Sequence, residues 1–158
     1  MTRTAAVIVA STRAAADEFE DRTGPVIVGW LAEHGYVVGH PVVVADGPDV
    51  EAAIRTALAG GIELIITTGG TGVGTGDGTP EATMAVIERE LPGVAEELRR
   101  RGTASTPLAA LSRGVVGTVG RSLVVNLPGS SGGVRDGLGL IDEIAEHVFE
   151  QLAGGAHE

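Results

Sequence analysis

The sequence predicts an α/β fold with a parallel, doubly wound sheet and helices on both of its faces. Apolar runs of strand length alternate with segments of helical spacing along the chain, which is the pattern of such a sheet. No internal repeat and no dividing linker is present, so we expect one domain over residues 1–158. A chain of this length can bury a sizeable core.

The first elements are a strand, a helix and a second strand. Thr4–Ala10, with the sequence TAAVIVA, is a short apolar run of strand length. Helical spacing predicts a helix over residues 25–34, and Gly35 is a typical helix stop. Residues 36–44 are rich in valine and predict a strand, in which Pro41 indicates an edge position or a bulge.

The central elements place a glycine-rich loop between a strand and a helix. Residues 49–58 have helical spacing and follow a Gly-Pro pair, with proline suited to the first turn. Residues 62–68, IELIITT, predict a buried strand. The loop then runs to Thr79, and Thr-Pro-Glu at residues 79–81 predicts a helix start in which threonine caps, proline opens the first turn and glutamate complements the dipole.

The last part of the chain contains two helix candidates and two strand candidates. A helix is predicted over residues 94–101, and its arginine run indicates a solvated helix end. Strands are predicted over residues 115–119 and 122–127. A final helix is expected over residues 134–152, so that the helices cover both faces of the sheet.

The composition excludes several classes of function. The absence of cysteine excludes disulfides and thiolate catalysis, and the absence of lysine excludes Schiff-base chemistry and a phosphate-loop lysine. A net charge of −10 argues against non-specific nucleic-acid binding, which needs a basic face. No apolar run reaches membrane-spanning length and no signal-peptide pattern opens the chain, so we expect a soluble cytoplasmic protein without a membrane partner.

The glycine-rich loop is the strongest functional signal. Six glycines lie between Gly69 and Gly78, after a buried strand and before a helix start. Ligands of open α/β sheets bind at this position, and bare glycine amides can surround phosphate oxygens. The alternative is a flexible turn. Neither the dinucleotide pattern GxGxxG nor a phosphate loop with lysine fits the segment, so we predict an anion-binding loop of another kind.

Two aspartates follow neighbouring strand candidates. Asp77 lies inside the glycine loop, and Asp46 lies between a strand and a helix in the sequence VVADGPD. Each could be a structural turn residue. A carboxylate beside a phosphate site would repel the phosphate unless a divalent cation lay between them, and Mg²⁺ is held by one or two carboxylates plus substrate phosphates. The pair therefore predicts a magnesium site.

A second loop follows another strand candidate. Residues 124–133, VVNLPGSSGG, contain Asn126, the turn signal Pro128-Gly129 and two serines that could contact a ligand or cap the turn. On its own this segment is a weak signal. Together with the glycine loop it predicts the second wall of one cleft.

These motifs, taken in order, resemble the Mog/MoaB family of molybdenum cofactor biosynthesis. The resemblance rests on TTGGTG, then D-x-T-P-E-A beginning at Asp77, and later NLPGS followed by GG. The segment STRAAADEFEDRTGP, residues 11–25, resembles the N-terminal part of the family. The similarity extends over residues 4–153.

The resemblance implies a molybdopterin adenylyltransferase, which transfers AMP from ATP to the molybdopterin phosphate and releases pyrophosphate. It implies a three-layer α/β/α sandwich with a mostly parallel sheet, a homotrimer, and a possible molybdate insertase as partner. Asp46 and Asp77 match the catalytic, metal-holding aspartates. The residues that the resemblance assigns to pterin and nucleotide binding are Gly69, Gly70, Thr71, Gly72, Thr79, Asn126, Pro128, Gly129 and Ser130.

On this basis we expect in-line attack of the molybdopterin phosphate on the α-phosphorus of ATP. Positioning and charge stabilisation dominate such transfers. The glycine-loop amides would hold an anionic group, the hydroxyls of Thr71 and Ser130 would add contacts, and Arg13 and Arg113 are candidate phosphate partners.

The sequence also departs from the family pattern. Thr12 stands where the family often has an acidic residue, Gly76 stands where an arginine frequently precedes the loop aspartate, and Ser131 replaces a proline. These departures keep alternatives open: a non-catalytic molybdopterin-binding carrier, or a scaffold protein of the same fold.

Overall fold

A single mixed sheet forms the centre of the computed structural model, which describes residues 2–17 and 21–155. Its strands are β1 (Thr4–Ala10), β2 (Val37–Val38), β3 (Val42–Val44), β4 (Leu64–Thr68), β5 (Arg89–Glu90), β6 (Val116–Val119) and β7 (Ser122–Leu127). Across the described residues the strand order is β2-β1-β4-β7-β6-β5, and β3 pairs with β1 on the same side as β2.

The strands at the centre of the sheet run parallel, as the alternating pattern predicts. In the register of β1, β4 and β7, Val7 lies beside Ile66, and Ile66 lies beside Val125. All five residues of β4 are buried. Parallel strands that are covered on both faces read as continuous apolar runs, which is why these strands were recognisable in the sequence.

The last two strands in the order, β6 and β5, are antiparallel to their neighbours. β6 and β7 are joined by two residues, Gly120 and Arg121, which form a tight turn with Gly120 at a φ of +55°. A connection this short can only join antiparallel strands, because a parallel pair needs a crossover of a dozen or more residues. The sheet is therefore mostly parallel with one antiparallel edge.

Helices cover both faces of the sheet, so the fold is the expected three-layer α/β/α sandwich. The described helices are α1 (Thr12–Ala15), α2 (Thr23–Glu33), α3 (Pro48–Ala59), α4 (Thr79–Met84), α5 (Pro92–Thr103) and α6 (Ser131–Leu152), and a 3₁₀ helix spans Pro107–Leu111. Helices α2, α5 and α6 pack on one face, whereas α3 and α4 pack on the other.

Two hydrophobic cores lie on opposite faces of the sheet. Ile65 and Ile66 are consecutive residues of β4, and because side chains alternate along a strand they enter different cores. Ile66 packs in the core that contains Ile141 of α6. Ile65 packs in the core that contains Ile54 of α3. Every element that bears a loop of the candidate site is thus fixed to a buried layer.

The observed elements differ from the predicted ones mainly at edges. The predicted strand over residues 36–44 is divided into β2 and β3 by residues 39–41, because Pro41 cannot donate to a neighbouring strand. Helices α2, α3, α5 and α6 begin one to three residues earlier than predicted. α1, β5 and the 3₁₀ helix were not predicted, because they are too short to show a periodic pattern.

The helices of residues 2–17 and 21–155 include none that is both long and apolar enough to cross a membrane.

The carboxyl ends of β1, β4 and β7 lie at one edge of the sheet, because these strands are parallel and in register. The glycine loop follows β4 and the NLPGS segment follows β7. The topology therefore brings both loops to the same edge.

Burial in the central sheet should dominate stability. Val125 in β7 is 1% exposed and Val37 in β2 is 61% exposed, so the same substitution can be compared at both positions. We expect Val125→Ala to lower the free energy of unfolding by about 2–3 kcal/mol through lost burial and a residual cavity. Val37→Ala should change it by less than about 0.5 kcal/mol. Urea unfolding measures both; equal losses would contradict the assigned core.

Candidate functional site

The glycine loop, residues 69–78, contacts the second loop, residues 128–130. The amide of Gly69 donates to the carbonyl of Leu127 at 3.0 Å. Gly129 packs on Gly69 so closely that a Cβ added to Gly129 would lie 3.5 Å from the Gly69 Cα. The structure therefore brings together the two loops that the sequence predicted to form one cleft.

The first two glycines of the loop have conformations and surroundings that exclude other residues. Gly69 and Gly70 have φ angles of +91° and +68°, which L side chains rarely adopt. A Cβ on Gly69 would lie 2.5 Å from the carbonyl oxygen of Ala10, and one on Gly70 would overlap Oγ1 of Thr79. The loop is thus a packed turn rather than a flexible linker.

Asp46 borders the base of the glycine loop. Its Oδ1 accepts a hydrogen bond from the amide of Gly78 at 3.0 Å. A Cβ added to Gly70 would lie 2.6 Å from the Asp46 Oδ2, so the carboxylate rests directly on the bare backbone of that glycine. Within the described residues no hydrogen bond engages this Oδ2.

Asp77 borders the outer part of the same loop. Its Oδ2 accepts from the amide of Gly74 at 2.9 Å, and its own amide donates to the carbonyl of Gly74 at 3.0 Å. A Cβ on Gly72 would lie 2.8 Å from that Oδ2. Both aspartates are half-buried against one loop. Their part in metal binding and catalysis stays a prediction.

Three of the four amides predicted to hold an anion are open. The amide of Gly69 is engaged by Leu127, so Gly69 contributes its backbone conformation instead of a free donor. The amides of Gly70, Thr71 and Gly72 make no hydrogen bond within residues 2–17 and 21–155. They are open in the sense that they have no partner, and consecutive amides of this kind can bind an anion.

The N-terminus of α6 borders the same cavity as Thr71 and Gly72. Ser130 is the N-cap residue, and its Oγ accepts from the amide of Gly133 at 3.2 Å. The cap confirms the structural alternative for this serine and leaves its hydroxyl hydrogen for a further acceptor. A helix N-terminus carries a partial positive charge, so this position also favours anions.

Two cavities border the contact between the loops. The larger has a volume of about 480 Å³ and is lined by Thr71, Gly72, Pro128 and Ser130, together with residues of α5 and the 3₁₀ helix. The smaller, of about 320 Å³, is lined by Gly69 and Gly129 together with residues from β1, α1 and the start of α2. Volumes of this size suit small organic molecules.

Asn126, predicted as a binding residue, directs its side chain into the protein. Its Oδ1 accepts from the amide of Val115 at 3.1 Å, and its Nδ2 donates to the hydroxyls of Thr67 at 2.9 Å and Thr83 at 3.0 Å. The residue is 2% exposed. Because both amide hydrogens are used, Asn126 joins β7 to β4 and α4. It also lines the larger cavity, and its part in ligand binding stays a prediction.

The prediction that Thr79 caps a helix is wrong, whereas its predicted ligand contact stays a prediction. Gly78 is the N-cap residue of α4, and no side chain caps the helix. Thr79 is the first residue of α4, and its amide donates to the carbonyl of Gly70. Its side chain is fully buried, and its Oγ1 has no hydrogen-bond partner among the described residues.

Arg113, a predicted phosphate partner, already bonds three groups of the protein. Its Nε donates to the carbonyl of Gly72 at 2.8 Å, its Nη2 to the carbonyl of Asp77 at 2.8 Å, and its Nη1 to the Glu81 carboxylate at 2.9 Å. The hydrogen bond with Glu81 is the main cause that raises the pKa of Arg113 and lowers that of Glu81. The part of Arg13 stays a prediction.

Arg99 borders the larger cavity, a position that was not predicted from the sequence. The arginine run was assigned to a solvated helix end, but Arg99 is half-buried and its Nη1 donates to the carbonyls of Ser112 and Gly114 at 3.2 and 3.0 Å. The helical spacing of Arg99 relative to its apolar neighbours indicates that it faces the protein. Arg99 lies four residues after Ala95 and three before Gly102, both buried, and therefore shares their face of α5.

The comparisons with known proteins agree on one family. A family described as "Probable molybdopterin binding domain" matches residues 6–147. A "Molybdenum cofactor biosynthesis bifunctional protein" of Synechococcus elongatus is 41% identical over 154 residues, which are 97% of this chain and 48% of that protein. The chain thus spans about half the length of this relative.

Shorter proteins match over most of their length. A "Molybdopterin adenylyltransferase" of Helicobacter pylori strain J99 is 37% identical over 152 residues, which cover 94% of this chain and 86% of the relative. The solved structure of the molybdopterin biosynthesis Mog protein from Mycobacterium ulcerans superposes with a TM-score of 0.91 at 45% identity, and covers 96% of this chain and 99% of that one.

Replacement of threonine by valine should change the free energy of unfolding differently at the two buried threonines of α4. Thr79 and Thr83 are both fully buried, but only the Thr83 hydroxyl is bonded, accepting from Asn126 and donating to the carbonyl of Thr79 at 2.8 Å. We expect Thr83→Val to lower the free energy of unfolding by about 1–3 kcal/mol, because it leaves a buried donor unsatisfied.

The matched variant Thr79→Val removes a hydroxyl that has no partner and should be neutral or stabilising by about 1 kcal/mol. Urea unfolding at one pH measures both variants. A loss at residue 79 as large as that at residue 83 would show that the Thr79 hydroxyl is bonded after all.

Proposed function

The chain belongs to the family of probable molybdopterin binding domains, and on that premise we propose that it is a molybdopterin adenylyltransferase. The reaction is transfer of AMP from ATP to the phosphate of molybdopterin. A relative that the chain covers over 86% of its length carries that name, and the family description gives the pterin as ligand. A cytoplasmic location is part of the same proposal.

One observation carries the proposal. Asp46 and Asp77 border a single loop, each keeps one carboxylate oxygen without a partner among the described residues, and the same loop contains the unbonded amides of Gly70, Thr71 and Gly72. A set of acidic oxygens beside a set of anion-binding amides suits a phosphate that is accompanied by a divalent cation.

The donor set fits Mg²⁺. The residues described contain no cluster of three or more acidic or histidine side chains that could hold a metal. In this proposal the ligands are the free oxygens of Asp46 and Asp77. Mg²⁺ is usually held by one or two carboxylates plus substrate phosphates, and it keeps several waters. When bound, it would neutralise charge on the phosphate oxygens during transfer.

The residues of the chain supply positioning and charge stabilisation. The open amides of Gly70, Thr71 and Gly72 would donate to phosphate oxygens, and the Ser130 hydroxyl would add a donor beside the N-terminus of α6. These donors are fixed by the packed turn, so they need no reorganisation when charge develops. The two cavities would take the organic parts of the two substrates.

The reaction is one displacement at phosphorus. An oxygen of the pterin phosphate forms a bond to the α-phosphorus of ATP, the bond from that phosphorus to the bridging oxygen breaks, and pyrophosphate leaves. Because little covalent chemistry is needed from the protein, alignment of the two substrates contributes most of the acceleration.

Assembly and partners belong to the same proposal. We propose a homotrimer, and a molybdate insertase as the protein that receives the adenylated pterin. The Synechococcus relative is a bifunctional protein about twice as long as this chain, so in that protein the matching domain is joined to a further segment.

The direct test is product formation. Purified protein mixed with molybdopterin, ATP and Mg²⁺ should form adenylated molybdopterin and pyrophosphate, which chromatography and a coupled pyrophosphate assay detect. Chelation of Mg²⁺ with EDTA should abolish the product, and excess Mg²⁺ should restore it. Tight pterin binding without any adenylate would instead support the non-catalytic carrier.

The two aspartates should be separately required for turnover. Asp46→Asn and Asp77→Asn preserve shape but remove a charge, so each should lower the rate of adenylate formation on the order of 10²–10³-fold. Asp142→Asn, on the exposed side of α6, is the matched control and should leave the rate unchanged. Unchanged turnover in Asp77→Asn would remove Asp77 from the mechanism; thermal unfolding checks that each variant is folded.

A further inference from the structure

The outer part of the glycine loop has little burial to hold its shape. Residues 73–76 are exposed, and the side chain of Val73 is 69% exposed. Glycine loses more conformational entropy on ordering than any other residue, so a glycine-rich loop needs specific bonds to adopt one conformation. Within the loop, one bond closes the base, from the amide of Thr79 to the carbonyl of Gly70 at 3.2 Å.

Arg113 supplies bonds that cross the loop. Its amide donates to the carbonyl of Thr71 at 2.8 Å, and its Nε donates to the carbonyl of Gly72 on the same arm. Its Nη2 donates to the carbonyl of Asp77 on the opposite arm. A single guanidinium therefore bridges the outgoing and returning arms of the loop.

Glu81 fixes the guanidinium itself. Both oxygens of its carboxylate accept from Nη1 of Arg113, at 3.0 and 2.9 Å, from the first turn of α4. The fork of an arginine can make several such bonds in one plane, which a lysine ammonium cannot. With its charge paired and three of its nitrogens engaged, Arg113 is held against the loop backbone.

We propose that Arg113 is a positioning residue that holds the glycine loop in the conformation that presents Asp77 and the open amides to the substrates. The carbonyl of Asp77 is held by Arg113 while its carboxylate accepts from Gly74, so backbone and side chain of this residue are fixed from two sides. The effect on AMP transfer rests on the proposed function, whereas the effect on the loop does not.

The first experiment measures the loop without any substrate. Amide hydrogen exchange of Asp77, Gly78 and Thr79 is followed by NMR in the wild type, in Arg113→Lys and in Arg113→Ala. Loss of charge-assisted hydrogen bonds should make these amides exchange on the order of tenfold faster in both variants. Lysine should not rescue the loop, because it cannot bridge the two arms.

Arg55→Lys is the matched control. Arg55 also donates to a carboxylate, that of Glu51 at 2.9 Å, and to a backbone carbonyl, that of Ala85 at 3.2 Å, but it lies outside the loop. Exchange of the loop amides should be unchanged in this variant. Unchanged exchange in Arg113→Ala would overturn the proposal.

The second experiment separates positioning from phosphate binding. If the wild type forms adenylate, both Arg113 variants should lose kcat on the order of tenfold or more, with KM for ATP within about threefold of the wild type. A phosphate ligand would instead give a raised KM for ATP that lysine largely restores, which would contradict the proposal. If the wild type forms no adenylate, the proposed function fails, and hydrogen exchange still decides the role of Arg113.

Discussion

The left-handed turn at Gly69 and Gly70 is the constraint on which the site depends. Gly69 lies against the end of β1 and donates to the end of β7, so the turn is packed where three strand ends meet. Gly70 lies against the Asp46 carboxylate, and its carbonyl accepts from Thr79 at the base of the loop. Any side chain at either glycine would displace a neighbour and with it the loop.

A buried polar network links this turn to the other elements at the same edge of the sheet. Asn126 bonds to Thr67, which lies two residues before the turn, and to Thr83 in the helix that follows the loop. Hydrogen bonds in a low-dielectric interior are costly to leave unmade, so the network specifies one relative placement of β4, β7 and α4. Both ends of the glycine loop are therefore anchored by one side chain.

The sequence predicted the fold where burial leaves a strong pattern, and it failed where the outcome depends on tertiary partners. The strands β1 and β7 were recognised with their observed bounds, because buried parallel strands read as mostly apolar runs. The cap predicted at Thr79 is wrong, and the internal hydrogen bonds of Asn126 have no local signal, because a polar side chain can bond to a ligand or to a neighbouring element and local sequence does not distinguish these. The pairing of Arg113 with Glu81 spans 32 residues and has no local signal.

The charge distribution explains how an acidic protein can offer an anion site. The chain carries a net charge of −10, yet the glycine loop contributes amides and α6 contributes a helix N-terminus, and neither appears in a count of charged residues. Glu81 pairs with Arg113, so the charge of that guanidinium is shared between Glu81 and the two aspartates. Two like charges about 4 Å apart repel by roughly 1 kcal/mol in water and by several kcal/mol near a protein surface. A polyphosphate beside two carboxylates is therefore unfavourable unless a divalent cation lies between them, and this is the physical reason for including Mg²⁺ in the proposed reaction.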